Sequence, residues 1–149
     1  MSFASDLKLG EEYQLRFIDY LSLNEYDEII QAPKYQFSDY DLLVKKGATE
    51  IKYEIKADRL ASRTGNLCIE YECNDKPSGI TVSKADYYGY FVIGKVEECY
   101  IIPIHYLRIL IESGDFRKLR GGDKNRSCFY LIPKSKFVQF LTQRKVSDS

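Results

Sequence analysis

The run from Asp39 to Lys56 constrains this chain more than any other stretch. Asp39-Tyr40-Asp41-Leu42-Leu43-Val44 reads as an acid opening an apolar strand, and thirteen residues after Asp41 a Glu54-x-Lys56 lies within Ile51-Lys52-Tyr53-Glu54-Ile55-Lys56. In a strand, residues two apart point to one face. Glu54 and Lys56 therefore project together, while Ile51, Tyr53 and Ile55 project into a core. Two carboxylates and an ammonium on one sheet edge suit a divalent cation with a water molecule beside it, the chemistry of phosphodiester cleavage. The competing reading is structural. Asp41 caps a turn, and Glu54 and Lys56 form an exposed ion pair worth below about 1 kcal/mol.

At 149 residues the chain fits one domain with a real core. Its longest unbroken apolar run, Cys128 to Ile132, is far too short for a membrane span. Met1 to Leu9 carries Asp6 and Lys8 and lacks the apolar region of a signal peptide. Cys68, Cys73, Cys99 and Cys128 form no Cys-x-x-Cys pair, and His105 is the single histidine, so a zinc site is disfavoured and free thiols in a reducing cytoplasm are expected. The net charge is zero but unevenly spread. Residues 1 to 44 balance at −6, and residues 108 to 149 balance at +6. An acidic cation-binding side and a basic phosphate-binding side produce this distribution, as does a polarised surface without function.

Periodicity predicts a helix over Gly10 to Leu21, with Leu15, Ile18 and Leu21 at helical spacing. Asn24 to Lys34, with Pro33, reads as a loop. Strands are expected at Phe37 to Val44, Glu50 to Ala57 and Asn66 to Cys73, with a turn at Lys45-Lys46-Gly47 and a polar connection at Ala61 to Gly65. Three closely spaced strands suggest an antiparallel meander. A short helix is expected from Ser83 through Tyr87, and strands at Tyr90 to Ile93 and Tyr100 to Ile102. Helices are expected around Leu107 to Ile111 and Phe137 to Leu141, each after a proline that its first turn tolerates. Cys128 to Ile132 reads as a strand, Arg117 to Arg126 as a basic flexible loop, and the residues after Arg144 as frayed. This order is a mixed α/β domain whose central sheet is covered by helices.

At Asp41, Glu54 and Lys56, with this order of elements, the chain resembles the PD-(D/E)xK nuclease superfamily. The likeness spans about residues 10 to 102, leaving 103 to 149 as a C-terminal extension. It implies a restriction-endonuclease-like core, a central mixed sheet flanked by helices. The opening Gly10-Glu11-Glu12-Tyr13-Gln14 resembles Holliday junction resolvases. Thr64 to Glu72, with Lys76 to Ile80 and Lys84 to Asp86, resembles phage-encoded members. The chain departs from the pattern twice. Tyr40 stands where the motif's proline would be, and Gln14 stands where resolvases carry a first-helix glutamate, with Glu11 nearly one turn earlier as a substitute.

The resemblance implies Mg²⁺ or Mn²⁺ held by Asp41, Glu54 and the backbone carbonyl of Ile55, with Glu11 as a further ligand. Lys56 would orient the attacking water and stabilise charge on the phosphate. Gln14 would reach a metal-bound water behind these ligands, and Glu70 on the third strand reads either as a partner of Lys56 or the metal or, equally, as a solvent-facing strand residue. Asp39 reads as a turn residue or a second ligand, the turn being favoured. Arg59, Arg63, Lys76 and Lys84 after the catalytic strands, and Arg117, Lys118, Arg120, Lys124 and Arg126 around Gly121-Gly122, read as a loop that orders on DNA, are candidate phosphate contacts, each of the first group also readable as a solvated charge. The implied activity is a DNA endonuclease acting on branched DNA as a homodimer, cytoplasmic, with a lean toward a phage- or virus-encoded enzyme at work in its host. A nuclease of linear DNA and a non-catalytic nucleic-acid-binding protein on the same fold are the alternatives.

Overall fold

The computed structural model describes residues 3–22, 28–33 and 39–142. Their elements, in chain order, are α1 (Phe3–Ser22), β1 (Glu28–Gln31), β2 (Leu42–Lys46), β3 (Thr49–Asp58), α2 (Ala61–Thr64), β4 (Asn66–Cys73), β5 (Lys76–Pro77), β6 (Tyr87–Val92), β7 (Glu98–Pro103), α3 (Ile104–Ser113), β8 (Arg117–Gly121), β9 (Ser127–Pro133) and β10 (Leu141–Thr142). Short 3-10 helices lie at Gly79–Thr81, Asp123–Asn125 and Lys134–Phe140.

A six-stranded sheet in the order β1-β2-β3-β6-β7-β10 is mixed, with β3 and β6 parallel and its other neighbours antiparallel. A second sheet has the order β5-β4-β9-β8 and is antiparallel. The fold is therefore mixed α/β around a central mixed sheet flanked by helices, as expected. β6 runs between two partners, and every residue from Tyr88 to Val92 is buried. Such a strand reads as continuous apolar sequence because both its faces are covered.

The two faces of the six-stranded sheet bury separate cores. On one face, Tyr13, Phe17 and Leu21 of α1, spaced four apart, pack on Leu42, Val44, Tyr53 and Phe91. Phe17 meets Tyr53 edge-on at 5.0 Å between ring centroids. It also closes on Gly89, where a Cβ would lie 3.0 Å from both the Phe17 ring and Ile55 Cδ1. On the other face, Tyr88, Tyr90, Tyr100 and Ile102 pack with Ile104 and Leu107 of α3 and with Leu67, Ile69 and Ile132 of the second sheet.

Several expectations are corrected. The first helix begins at Phe3, not Gly10, and its buried stripe is Tyr13, Phe17 and Leu21; Leu15 is 54% exposed. β1 forms inside the segment read as a loop. Lys45 and Lys46 belong to β2, and the turn is Gly47-Ala48. Phe37, Asn24 to Asp27, Lys34 and the chain beyond Thr142 lie outside the described residues. Ala61–Thr64 is a helical turn held by Asp58, whose Oδ1 accepts the N–H groups of Leu60 (2.7 Å) and Ala61 (3.1 Å). No helix starts at Ser83; the 3-10 turn precedes it and Tyr87 already pairs with Tyr53. The segment at Phe137 is 3-10, and Arg117–Gly121 is a strand.

The largest correction concerns the meander. β4 keeps its expected boundaries but leaves the sheet of β2 and β3 and pairs with β9, while β3 takes β6 as its second neighbour. Alternation reports which face a residue shows, not which strand lies beside it. The meander that exists is β1-β2-β3. Residues from 103 onward supply β8 and β9 to the second sheet and β10 to the first. All four cysteines are free. No helix among the described residues is long and apolar enough to cross a membrane.

Candidate active site

β2 and β3 bring the acid pair together. The backbone of Asp41 enters the sheet just before β2, its N–H donating to the Tyr53 carbonyl at 2.8 Å. Its Oδ2 accepts the N–H of Ile55 at 2.7 Å, which fixes the carboxyl beside β3. Glu54 projects from the face of β3 opposite Tyr53, and its carboxyl hydrogen-bonds that of Asp41. Burial first, and the neighbouring Asp41 charge second, push the Glu54 carboxyl up to about 9. Two carboxyls in one desolvated place oppose each other's ionisation.

Glu54 of this pair lines a cavity of about 140 Å³, together with Ile55 and Lys56 of β3 and Cys68 and Glu70 of β4. Gly79 and Tyr88 complete the lining. Lys56 shares the face of Glu54, and its Nζ lies 5.9 Å from the centroid of the Phe129 ring, within reach of a cation–π contact. Ser78 Oγ donates to Glu70 Oε2 at 3.0 Å. Gly79 has φ +52°, and a Cβ there would lie 2.1 Å from the Glu70 carbonyl oxygen. Only glycine lets the Gly79–Thr81 turn lie this close to β4.

A buried network holds β4 against β3. The Tyr90 hydroxyl donates to Asp58 Oδ2 at 2.5 Å and accepts the Cys68 N–H at 2.9 Å. Asp58 lies two residues beyond Lys56 on the same face, so the network spans from the lysine's strand to the cavity wall.

The structure brings together Asp41, Glu54, Ile55, Lys56 and Glu70. It does not bring Glu11 or Gln14 to them. Both lie on α1, which packs on the Tyr53 face of β3, and Gln14 Nε2 donates to Gln31 Oε1 at 3.1 Å. Among the described residues no three or more His, Cys, Asp or Glu side chains are grouped to hold a metal. Asp39 is a bend residue, its carbonyl accepting the Lys84 N–H at 2.7 Å and its Oδ2 lying 3.8 Å from Lys84 Nζ. Arg59, Arg63, Lys76, Lys84, Lys124 and Arg126 are exposed. Arg120 is exposed too, but it pairs with Cys128 and so lies on the face of the second sheet turned away from the cavity. His105 is exposed at the start of α3.

Ser83 and Tyr88, with Arg108 behind them, escaped the sequence reading as site residues. Ser83 is buried, and its hydroxyl hydrogen-bonds Glu54. Arg108 of α3 pins its loop by donating to the carbonyls of Ile80 (3.1 Å) and Ser83 (2.6 Å). Tyr88 lies directly across from Glu54 on β6 and is 5% exposed. Burial, then Glu54, Glu70 and Asp41, raise its hydroxyl well above the ordinary phenol value. A serine in a polar loop and a tyrosine in an apolar strand carry no local mark of this role. The strand pairing that places Tyr88 is non-local.

No protein-family model and no curated protein matches the chain. Among solved structures, the bacterial homing endonuclease I-Ssp6803I is similar, with a TM-score of 0.52 and 17% sequence identity over 97% of this chain and 84% of that one. At that identity the likeness is one of architecture, and it shows that this chain has the fold of that endonuclease.

Proposed function

We propose that this protein is a metal-dependent DNA endonuclease of PD-(D/E)xK type. The observation that carries the reading is the hydrogen-bonded carboxyl pair of Asp41 and Glu54, with Glu54 lining a cavity that also holds Lys56. The endonuclease with the same fold supports it. The donor chemistry fits a hard cation. The groups are all oxygen, and Glu54 keeps its proton to about 9 unless positive charge arrives. Asp41 and Glu54 would hold Mg²⁺ or Mn²⁺, with the Ile55 carbonyl adding an oxygen. A bound divalent cation supplies charge neutralisation at the phosphate and makes an attacking water more acidic. Lys56 orients that water and stabilises charge on the phosphate oxygens. Ser83 holds the Glu54 carboxylate, and Glu70 and Tyr88 bound the space that the water and phosphate enter.

Purified protein with Mg²⁺ or Mn²⁺ is expected to cleave DNA. Lys56→Ala and Asp41→Asn are each expected to reduce the rate by about 10²–10³-fold or more. Cleavage at the native rate in both variants ends the reading. Resemblance to junction resolvases extends it to branched DNA cut by a homodimer. A panel of linear, mismatched and four-way substrates tests the first point, and sedimentation the second. Preference for linear duplex would make it a restriction- or repair-type enzyme. Salt-dependent binding without cleavage at any cation concentration would make it a binding protein.

A further inference from the structure

The cavity wall does not stop at β4. Cys68 pairs with Leu131 of β9, and Leu131 with Arg117 of β8. Glu70 pairs with Phe129, and Phe129 with Leu119. Residues directly across a sheet show the same face. Two rows therefore cross the second sheet to its outer strand, ending in Arg117 and Leu119; the second is buried at its middle by Phe129, while the first stays half-exposed from Cys68 through Leu131 to the exposed Arg117. The Lys56 ammonium over the Phe129 ring ties the middle of this face to the candidate catalytic lysine.

The reverse face is already used. Leu67, Ile69 and Ile132 point into the core. Lys118, from the same strand as Arg117, lies 5.8 Å from the ring centroids of both Tyr71 and Tyr130 on that side. Arg117 and Leu119 are exposed, Leu119 at 46%. The run Arg117-Lys118-Leu119-Arg120 contains no acid. The cavity end is acidic and the far end is cationic.

We propose that this continuous face of the second sheet seats the DNA duplex, with its backbone leaving the cavity across β9 and meeting Arg117 at the outer strand. This inference rests on the endonuclease reading and deepens it. Charge complementarity selects the occupant, because a polyphosphate backbone is drawn to the Arg117 end and enters the acidic cavity only where a cation offsets the acids. Two strand spacings separate β4 from β8, about 10 Å, or roughly three nucleotides of duplex rise. Arg117 would then grip a phosphate about that far from the bond to be cut. Leu119, two residues along the same strand at the end of the adjacent row, would lie beside that phosphate against the sugar edge. The two faces make the claim specific: Arg117 binds, and its neighbour Lys118 does not.

The test measures binding of the full chain to a 20-base-pair duplex by fluorescence anisotropy in Ca²⁺, across a range of KCl concentrations. Arg117→Ala is expected to weaken binding about 5–10-fold and to lower the slope of log affinity against log salt by about 0.9. Leu119→Glu, which puts a carboxylate on the face, is expected to weaken it more than tenfold. Lys118→Ala is expected to change affinity less than twofold. All three sites are exposed, and unchanged melting temperatures confirm folding. Native affinity and slope in Arg117→Ala and Leu119→Glu, or a larger loss from Lys118→Ala, overturns the inference while leaving the endonuclease reading intact if the native chain cleaves DNA. A native chain that neither binds nor cleaves DNA overturns both.

Discussion

The two faces of β3 share ten residues of backbone and nothing else. On one, Ile51, Tyr53 and Ile55 pack beneath α1, where tight contact is the source of stability. On the other, Glu54, Lys56 and Asp58 gather charge and polar groups, where burial opposes stability unless each group finds a partner. Alternation along one strand thus separates a part of the molecule that holds the fold from the part that forms the candidate site. Substitutions on the first face should move the melting temperature and leave the catalytic rate of the folded fraction alone. Substitutions on the second should do the reverse.

The sharpest way to break this division is Tyr53→Ala. Tyr53 is 5% exposed and contacts both Phe17 and Tyr87. Its truncation is expected to cost about 3–5 kcal/mol in chemical denaturation, with DNA cleavage by the remaining folded protein near native. A loss of activity beyond the folded fraction would show the faces to be coupled. Tyr90→Phe lies at the boundary. It deprives Asp58 Oδ2 and the Cys68 N–H of their partner, and about 1–3 kcal/mol of stability should go with it.

A third experiment uses pH. In the cation-free protein, burial and Asp41 hold the Glu54 carboxyl up to about 9 when folded, whereas in the unfolded chain it ionises near the ordinary carboxyl value of about 4.3. Between those values the folded state keeps a proton that the unfolded state releases. Stability is therefore full below the lower value and falls as pH rises toward the higher one. The melting temperature should drop across that window, and Glu54→Gln should flatten the decline. An equal slope in that variant would assign the proton to another group. The smallest effect is expected from Tyr88→Phe, which removes only a hydroxyl from the cavity. The cleavage rate should fall several-fold, with a melting temperature within about 1 °C of native; an unchanged rate would leave Tyr88 as packing.

How much of this was legible beforehand follows from the range of each signal. The acid, the Glu-x-Lys and the alternation of β3 lie within one hairpin, so periodicity carried them to the structure intact. Asp41 and Glu54 meet because β2 and β3 are neighbours in sequence and in space. Glu70 was reachable for the same local reason, since the strand that bears it alternates clearly. Ser83, Tyr88 and the row from Glu70 to Leu119 depend on pairings between distant segments, to which propensity is blind. The apparent loop at Arg117–Gly121 failed in a related way. Its charges resemble a solvated turn, yet an edge strand with one exposed side tolerates them and is protected by them from pairing with another chain. The first-helix ligand failed because α1 uses its aromatic stripe to sit on the opposite side of the sheet.

The detour of the chain between β3 and β6 has a consequence for assembly. The hairpin bearing Asp41 and Glu54 can close as soon as it is made, whereas β4 must wait for β9, more than fifty positions later. Contacts over such separations form late and slowly. During synthesis the acids would therefore meet long before the barrier beside them exists, and a nascent chain released early would expose an unpaired β4 edge. On the endonuclease reading, competence for cutting would arrive only with the last third of the polypeptide.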